Sequence, residues 1–299
     1  MNRAQTEEVW KTFWRNEQAS AAPSVVSNQW NPLTRAQFDA WSTFAKRLTP
    51  KSTVIDIATG AGKVPAMLYT VRPDLRITGI DIAERLPTLS ENVRLVGGVS
   101  MDDLPFDDGN FDVAISQFGF EYGDTQAAAA EIVRVLKPGG RIALMVHRGD
   151  GPILAQNRHR REQLRWVNDE NELFARVHAL LPADNCSAPE AINLAEKLAR
   201  QGEERFGQRS VAWEVCEAAR RTLVLGPTNK REILMDALGS IKRELLGEIS
   251  RIDSLEDACA AADDRKILLA GFRKHHREPI ATIAINLPGE NPFADLITF

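Results

Sequence analysis

The chain has 299 residues, 43% of them hydrophobic and 26% charged, with a formal net charge of −4 and a pI near 5.8. That length and apolar content suffice for a substantial core, either as one large domain or as one domain carrying a sizeable insertion. The mild acidity supplies no basic field, so a nucleic-acid partner is not expected, and no apolar run approaches bilayer-spanning length. The first residues carry charges (Arg3, Glu7, Glu8, Lys11, Arg15) where a secretory signal needs an apolar stretch. Cys186, Cys216 and Cys259 are odd in number and far apart, and read as reduced thiols of a cytoplasmic protein.

Residues 1–50 contain two helical stretches with aromatics at helical spacing, Trp10, Phe13 and Trp14, then Phe38, Trp41 and Phe44. Two readings stay open: these aromatics pack on the domain that follows, or the segment forms a lid, with Trp30 in the inter-helix loop the most lid-like residue. The most informative stretch follows. Val54-Ile55-Asp56-Ile57 is an apolar, β-branched run ending in Ala58-Thr59-Gly60-Ala61-Gly62-Lys63, and a helical pattern begins near Pro65. Strand, Gly-rich turn and helix in that order open a nucleoside-binding βαβ unit, in which a Cβ at Gly60 or Gly62 would keep a ligand from lying against the turn. Pro65 fits a first helical turn, where its missing N–H is no loss. A second apolar strand, Arg76 to Ile80, ends in Asp81, an acid placed to accept from both hydroxyls of a ribose.

Two further phrases follow in order. Leu104-Pro105-Phe106 with Phe111-Asp112 leads into a strand at Val113 to Ser116, and Leu136-Lys137-Pro138-Gly139-Gly140 closes a helix before a strand at Arg141 to Val146. With these motifs, residues from about Lys51 to His147 resemble the class I S-adenosylmethionine-dependent methyltransferases, in particular the small-molecule branch that includes the quinone-biosynthesis enzymes. Dehydrogenases of the same fold are the rival, but their Gly-x-Gly-x-x-Gly would need a third glycine where Val64 stands.

The resemblance implies a doubly wound, Rossmann-like α/β sheet of seven strands with an antiparallel last strand, and S-adenosyl-L-methionine as cofactor. It implies that Asp56 holds the cofactor's ammonium, that Ala58, Thr59, Gly60 and Gly62 line its amino-acid end, and that Asp81 binds the ribose. Ile82 would pack on the adenine, Ser100 and Met101 would meet the adenine edge, and Gln117 would reach the amino group through its backbone carbonyl. Two departures stand out: Ser100 replaces an aspartate common in relatives, and Ala58 replaces the usual first glycine. The resemblance also makes the N-terminal helices a segment that closes over the cofactor.

Methyl transfer asks for a nucleophile held in line with the S–CH₃ bond and, for oxygen acceptors, a base. Candidates stand where the fourth and fifth strands end: Glu121, Tyr122 and His147, with His147 the leading base because imidazole titrates near neutrality. No Asn/Asp-Pro-Pro-Tyr/Phe signature follows the fourth strand, which argues against nucleic-acid base methylation. From Pro152 to about Gly247 the pattern is helical, with apolar stripes at Ile192, Ala195, Leu198 and Ala199 and at Leu234, Leu238, Ile241 and Leu245. This insertion after the fifth strand, residues 151–250, reads as a substrate cap or a dimerisation element, the latter implying a homodimer. The basic run Arg158-His159-Arg160-Arg161 with Arg165 reads as a solvated helix face, or else attracts an anionic group. Residues 251–299 return to the core: a helix at Ser254 to Leu269, a strand at Pro279 to Leu287 and a closing strand at Phe293 to Phe299. His275-His276, on a strand, would point to opposite faces, and no metal site is expected. A small-molecule methyltransferase is the leading expectation; a protein or peptide methyltransferase and a catalytically silent cofactor-binding subunit are the alternatives.

Overall fold

The computed structural model describes residues 32–181, 189–225, 231–287, 289 and 291–299. Trp10, Phe13, Trp14, Trp30, Cys186 and Pro288 lie outside the described residues. The chain divides into two compact units, residues 1–154 with 254–299, and residues 155–253.

In the first unit, helix α1 (Pro32–Ala45) precedes strand β1 (Thr53–Ile57), helix α2 (Lys63–Val71), β2 (Arg76–Asp81), β3 (Val93–Gly97) and β4 (Phe111–Gln117). A single 3₁₀ turn (Phe120–Tyr122) leads to α3 (Thr125–Val135) and β5 (Leu136–His147). The seven strands lie in the order β3-β2-β1-β4-β5-β7-β6, where β6 is Ala281–Asn286 and β7 is Pro292–Thr298. β1 to β5 are parallel, and β7 runs antiparallel to both of its neighbours. The order reverses at β1, between β2 and β4, and in open α/β sheets ligands bind beyond the carboxyl ends of the strands at that reversal.

β1 is β-branched and buried along Val54 to Ile57 because helices cover both faces. On one face Ile55, Ile57, Ala114, Ile142 and Leu144 meet Ala128 and Ile132 of α3, with Leu268 and Phe272 from the end of the chain. On the other, Val54, Val113, Ile115 and Met145 meet Trp41 and Phe44 of α1 and Met67 and Leu68 of α2. The aromatic stripe of α1 is thus sheet-packing, and Trp41 is fully buried.

The two phrases that carried the resemblance form one device. Arg134, on α3, donates from Nη2 to the carbonyl of Leu104 at 2.9 Å and from Nη1 to that of Phe106 at 2.7 Å. It also forks onto Glu131, whose Oε2 accepts the Leu104 N–H at 2.8 Å. The Arg134 fork and that amide hold the Glu131 carboxyl below its usual range. Asp112 ties the other phrase down: it accepts from the Thr53 amide and hydroxyl and from Lys137 Nζ at 2.7 Å. Burial opposes its ionisation, yet these donors hold its pKa down at about 2.

Three expectations are corrected. The helix expected to begin at Ser254 is the end of a single 33-residue helix, α8 (Arg231–Asp263), because Gly239 and Gly247 are isolated glycines in an otherwise helix-forming run; Asp264 then caps the short α9 (Arg265–Leu268). α10 (Ala270–Lys274) follows, so His275 and His276 stand in a turn after a helix, exposed, with His276 at φ 56°. Leu136 to Gly140 does not simply end a helix; these residues belong to β5 and bulge against β4, where the register shifts between Phe111 and Val113. Of the apolar residues on β6 only Ile285 is buried, whereas Ile283 is half exposed, since β6 is the sheet's edge.

The second unit holds most of α4 (Pro152–Arg165), a π-helical turn (Trp166–Glu170), α5 (Leu173–Leu180), α6 (Pro189–Phe206), α7 (Val211–Leu225) and α8 as far as Asp253. Its core contains the expected stripes, with Ala195, Leu198, Leu234, Leu238 and Leu245 buried beside Trp166, Val167 and Cys216. Arg158, His159 and Arg165 of the basic run are exposed, as a solvated face expects, and its arginines are also paired: Arg160 with Glu248 at 2.7 Å, and Arg161 and Arg165 with Asp253. These arginines fasten α4 to α8 within the unit.

Candidate functional site

β1 delivers Asp56 into the sheet's upper edge, 1% exposed. Its Oδ2 accepts from the Thr59 hydroxyl at 2.6 Å, while its Oδ1 has no partner among the described residues. Burial pushes the carboxyl up to about 7, against the lowering effect of Thr59, and Asp81 pushes the same way as burial. The neighbouring strand makes room for this arrangement: Gly79 stands beside Asp56 in the β1–β2 register, and a Cβ there would lie 2.5 Å from Thr59 Oγ1.

Asp81 ends β2 and is 5% exposed. Its Oδ2 accepts the Gly60 amide at 2.8 Å and its Oδ1 the Ala83 amide at 2.9 Å, so the acid braces the Gly-rich turn and keeps one lone pair per oxygen for a ligand. Burial raises its pKa, and the amides of Ala83, Gly60 and Ile82 oppose this. Gly62 caps α2 at φ 75°, and a Cβ there would lie 2.7 Å from the side chains of Leu89 and Leu95. Backbone conformation and packing within the chain therefore demand this glycine, beyond the ligand clearance argued from sequence. Ala58 stands at φ 55°, a left-handed conformation that costs a residue with a Cβ roughly 1–2 kcal/mol; losing the family's first glycine is more than a neutral exchange.

Ser100 and Met101 follow a link from the Val99 amide to the Asp81 carbonyl at 2.9 Å. The Ser100 hydroxyl donates to Asp102, so a carboxylate stands two residues from where relatives carry theirs. Ile82, Ser100 and Met101 are all partly exposed. Gln117, at the end of β4, accepts at Oε1 from the Trp41 indole at 2.6 Å, which occupies its side chain and leaves its backbone to the site.

Past Gln117 lies a second cluster. Glu121, 3% exposed, accepts at Oε1 from the His147 amide at 2.9 Å, and the same oxygen lies 2.8 Å from His147 Nδ1. Phe118 stacks on the His147 ring with centroids 4.1 Å apart, and Tyr122 meets its edge at 5.8 Å. The two clusters touch through Gly119, where a Cβ would lie 2.5 Å from that of Ala58.

Residues 55–144 match the sequence profile of a family described as a methyltransferase domain. A demethylmenaquinone methyltransferase of Corynebacterium kroppenstedtii is 39% identical over 104 residues, 33% of this chain and 44% of that protein. One from Thermus thermophilus is 32% identical over 100 residues, 31% of this chain and 46% of that protein. The chain spans less than half the length of these curated relatives. A solved 1,6-didemethyltoxoflavin-N1-methyltransferase of Burkholderia thailandensis is 19% identical, with a TM-score of 0.40 over 51% of this chain and 67% of its own.

The matched stretch contains Asp56, the Gly-rich turn, Asp81, Ser100, Gln117, Glu121 and Tyr122; His147 lies three residues beyond it. A buried carboxylate oxygen without a donor suits an ammonium ion, and an acid with two free lone pairs beside a glycine turn suits a vicinal diol. These residues therefore fit an α-amino-acid nucleoside such as S-adenosylmethionine. Three contributors were not read from sequence as site residues: Gly79, Asp102 and Trp41. The alternation of β2 places Gly79 beside Asp56 and was the one usable hint.

Proposed function

We propose that the protein is an S-adenosylmethionine-dependent methyltransferase acting on a small-molecule acceptor. The observation that carries this reading is Asp56, a buried carboxyl with an unpartnered oxygen at the strand-order reversal, joined through the turn to Asp81. When bound, the cofactor supplies a methyl group already activated by its sulfonium. The protein's part is then to bind, orient and move a proton. Asp56 takes the ammonium, Asp81 the ribose diol, Ile82 and Met101 the adenine, with Asp102 behind Ser100 as the acceptor for the exocyclic amine. His147 takes the proton that an oxygen or nitrogen acceptor gives up, a role commonly worth about 10²- to 10⁴-fold in rate. The demethylmenaquinone methyltransferases match over 33% and 31% of this chain, so their names support a small acceptor and do not specify it. We assign selection of that acceptor to the helical unit, residues 155–253.

The experiment is incubation of the protein with S-adenosylmethionine labelled in the methyl group and a fractionated metabolite extract. Label appearing in a small-molecule fraction, and disappearing with Asp56→Asn, supports the reading; label only in macromolecular fractions, or none, overturns it.

A further inference from the structure

Glu121 was expected to touch the acceptor, yet its side chain is fully enclosed. What it does touch is His147, twice and through one oxygen: the backbone amide and Nδ1 both converge on Oε1, while Oε2 is buried without a partner among the described residues. An ionised carboxylate only accepts. The 2.8 Å contact with Nδ1 then requires the proton to sit on Nδ1, which makes Nε2 the lone-pair nitrogen of the neutral ring. The ring has little freedom to depart from this. Phe118 lies over its face at an interplanar angle of 28°, Tyr122 meets its edge, and the amide bond to Glu121 anchors the same residue's backbone. Phe118 itself is held at φ 55°, a conformation rare for an aromatic residue, and such strain persists only where the surroundings impose it.

We propose that Glu121 is a positioning residue: it fixes the imidazole of His147 as the Nδ1–H tautomer and thereby makes Nε2 the basic nitrogen that accepts the acceptor's proton. This rests on the methyltransferase reading above. In the step served, the acceptor's oxygen or nitrogen gains a methyl and loses a proton, the proton ends on Nε2, and the imidazolium so formed is stabilised by Glu121 through Nδ1–H. Glu121 and Tyr122 are the titratable groups against the ring; Arg148, the next residue, is engaged by Asp150 and Asp295, so its charge is already compensated.

The test is a long-range ¹H–¹⁵N correlation spectrum of the full chain labelled in its five histidines, with the His147 signals assigned by their loss in His147→Gln. The proposal expects Nδ1 protonated and Nε2 unprotonated at pH 8, with Nε2 the nitrogen that titrates. In Glu121→Gln the titration should move down by about one pH unit and the tautomer preference should weaken, since the amide does not compensate the imidazolium charge. A wild-type ring protonated on Nε2 overturns the proposal, as does a Glu121→Gln ring with unchanged tautomer and titration. If Glu121→Gln does not fold, the wild-type spectrum alone decides. Calorimetric titration of the same samples with S-adenosylhomocysteine separates the two readings: binding with the wrong tautomer sinks only the role of Glu121, whereas no binding sinks the methyltransferase reading on which it rests.

Discussion

Asp56 carries a linkage that can be measured directly. Its carboxyl titrates at about 7 when the site is empty, against 3.8 when exposed. A raised pKa means that the protonated side chain stabilises the fold fully below about pH 4, and that this contribution is lost as the pH rises to about 7. Asp56→Asn, which cannot ionise, should therefore stabilise the empty protein at pH 8 relative to wild type and leave it unchanged near pH 4. The bound on that difference is on the order of a few kcal/mol, at about 1.4 kcal/mol per pH unit. Paired denaturant titrations at the two pH values check it. A bound ammonium reverses the sign for the liganded protein, since it favours the ionised carboxyl; S-adenosylhomocysteine should bind wild type more tightly as pH rises from 6 to 8, and the Asn variant without that trend.

Gly79 supplies a companion prediction. Because its missing Cβ is the space that Thr59 Oγ1 fills, Gly79→Ala should push Thr59 off Asp56 and weaken S-adenosylhomocysteine binding by about tenfold, the worth of one hydrogen bond to a charged group. An unchanged dissociation constant in a folded variant would show that Thr59 does not set up the acid. At this scale the sequence was legible wherever function rests on neighbours in the chain: Asp56, Gly60 and Gly62 lie within seven residues. It was silent on pairs such as Trp41 with Gln117, or Glu121 with His147, 76 and 26 residues apart, which only the folded sheet brings together.

Among the elements, the β3–β4 connection and α3 are held by Arg134. Arg134→Met removes hydrogen bonds to two carbonyls and a fork onto Glu131 while keeping the aliphatic stem, so it should cost roughly 2–3 kcal/mol by urea denaturation. A loss under 0.5 kcal/mol would show that water replaces the guanidinium freely. The strand periodicities of β1, β2 and β4 were readable because central parallel strands are apolar throughout. The element ends read less well: Lys137 to Gly140 carries the residues of a loop, yet β5 absorbs them as a bulge, and α8 runs through Gly239 and Gly247 because packing in the second unit outweighs the two glycines.

For the whole molecule, the seven-stranded sheet with its antiparallel last strand is what the resemblance implied, whereas the role of the helical unit was not legible, because its apolar stripes describe a core of its own. The two chain ends that flank it, Leu154 and Leu255, pack in one small cluster with Cys259, so residues 155–253 can be replaced by a short Gly/Ser linker. The shortened chain should fold and bind S-adenosylhomocysteine within about tenfold of wild type, since every proposed cofactor residue remains, while methyl transfer to the acceptor is lost. A monomer that keeps full activity would assign the unit to dimerisation instead.

The central claim is that the Asp56–Asp81 site holds an α-amino-acid nucleoside, and calorimetric titration of wild type and Asp81→Asn with S-adenosylhomocysteine tests it most directly. Asn keeps one oxygen to brace the turn but loses the charge that holds the diol. The account predicts one site per chain in wild type and a loss of about 1.5–3 kcal/mol in the variant; no heat of binding in wild type, or equal affinity in a folded variant, would contradict it.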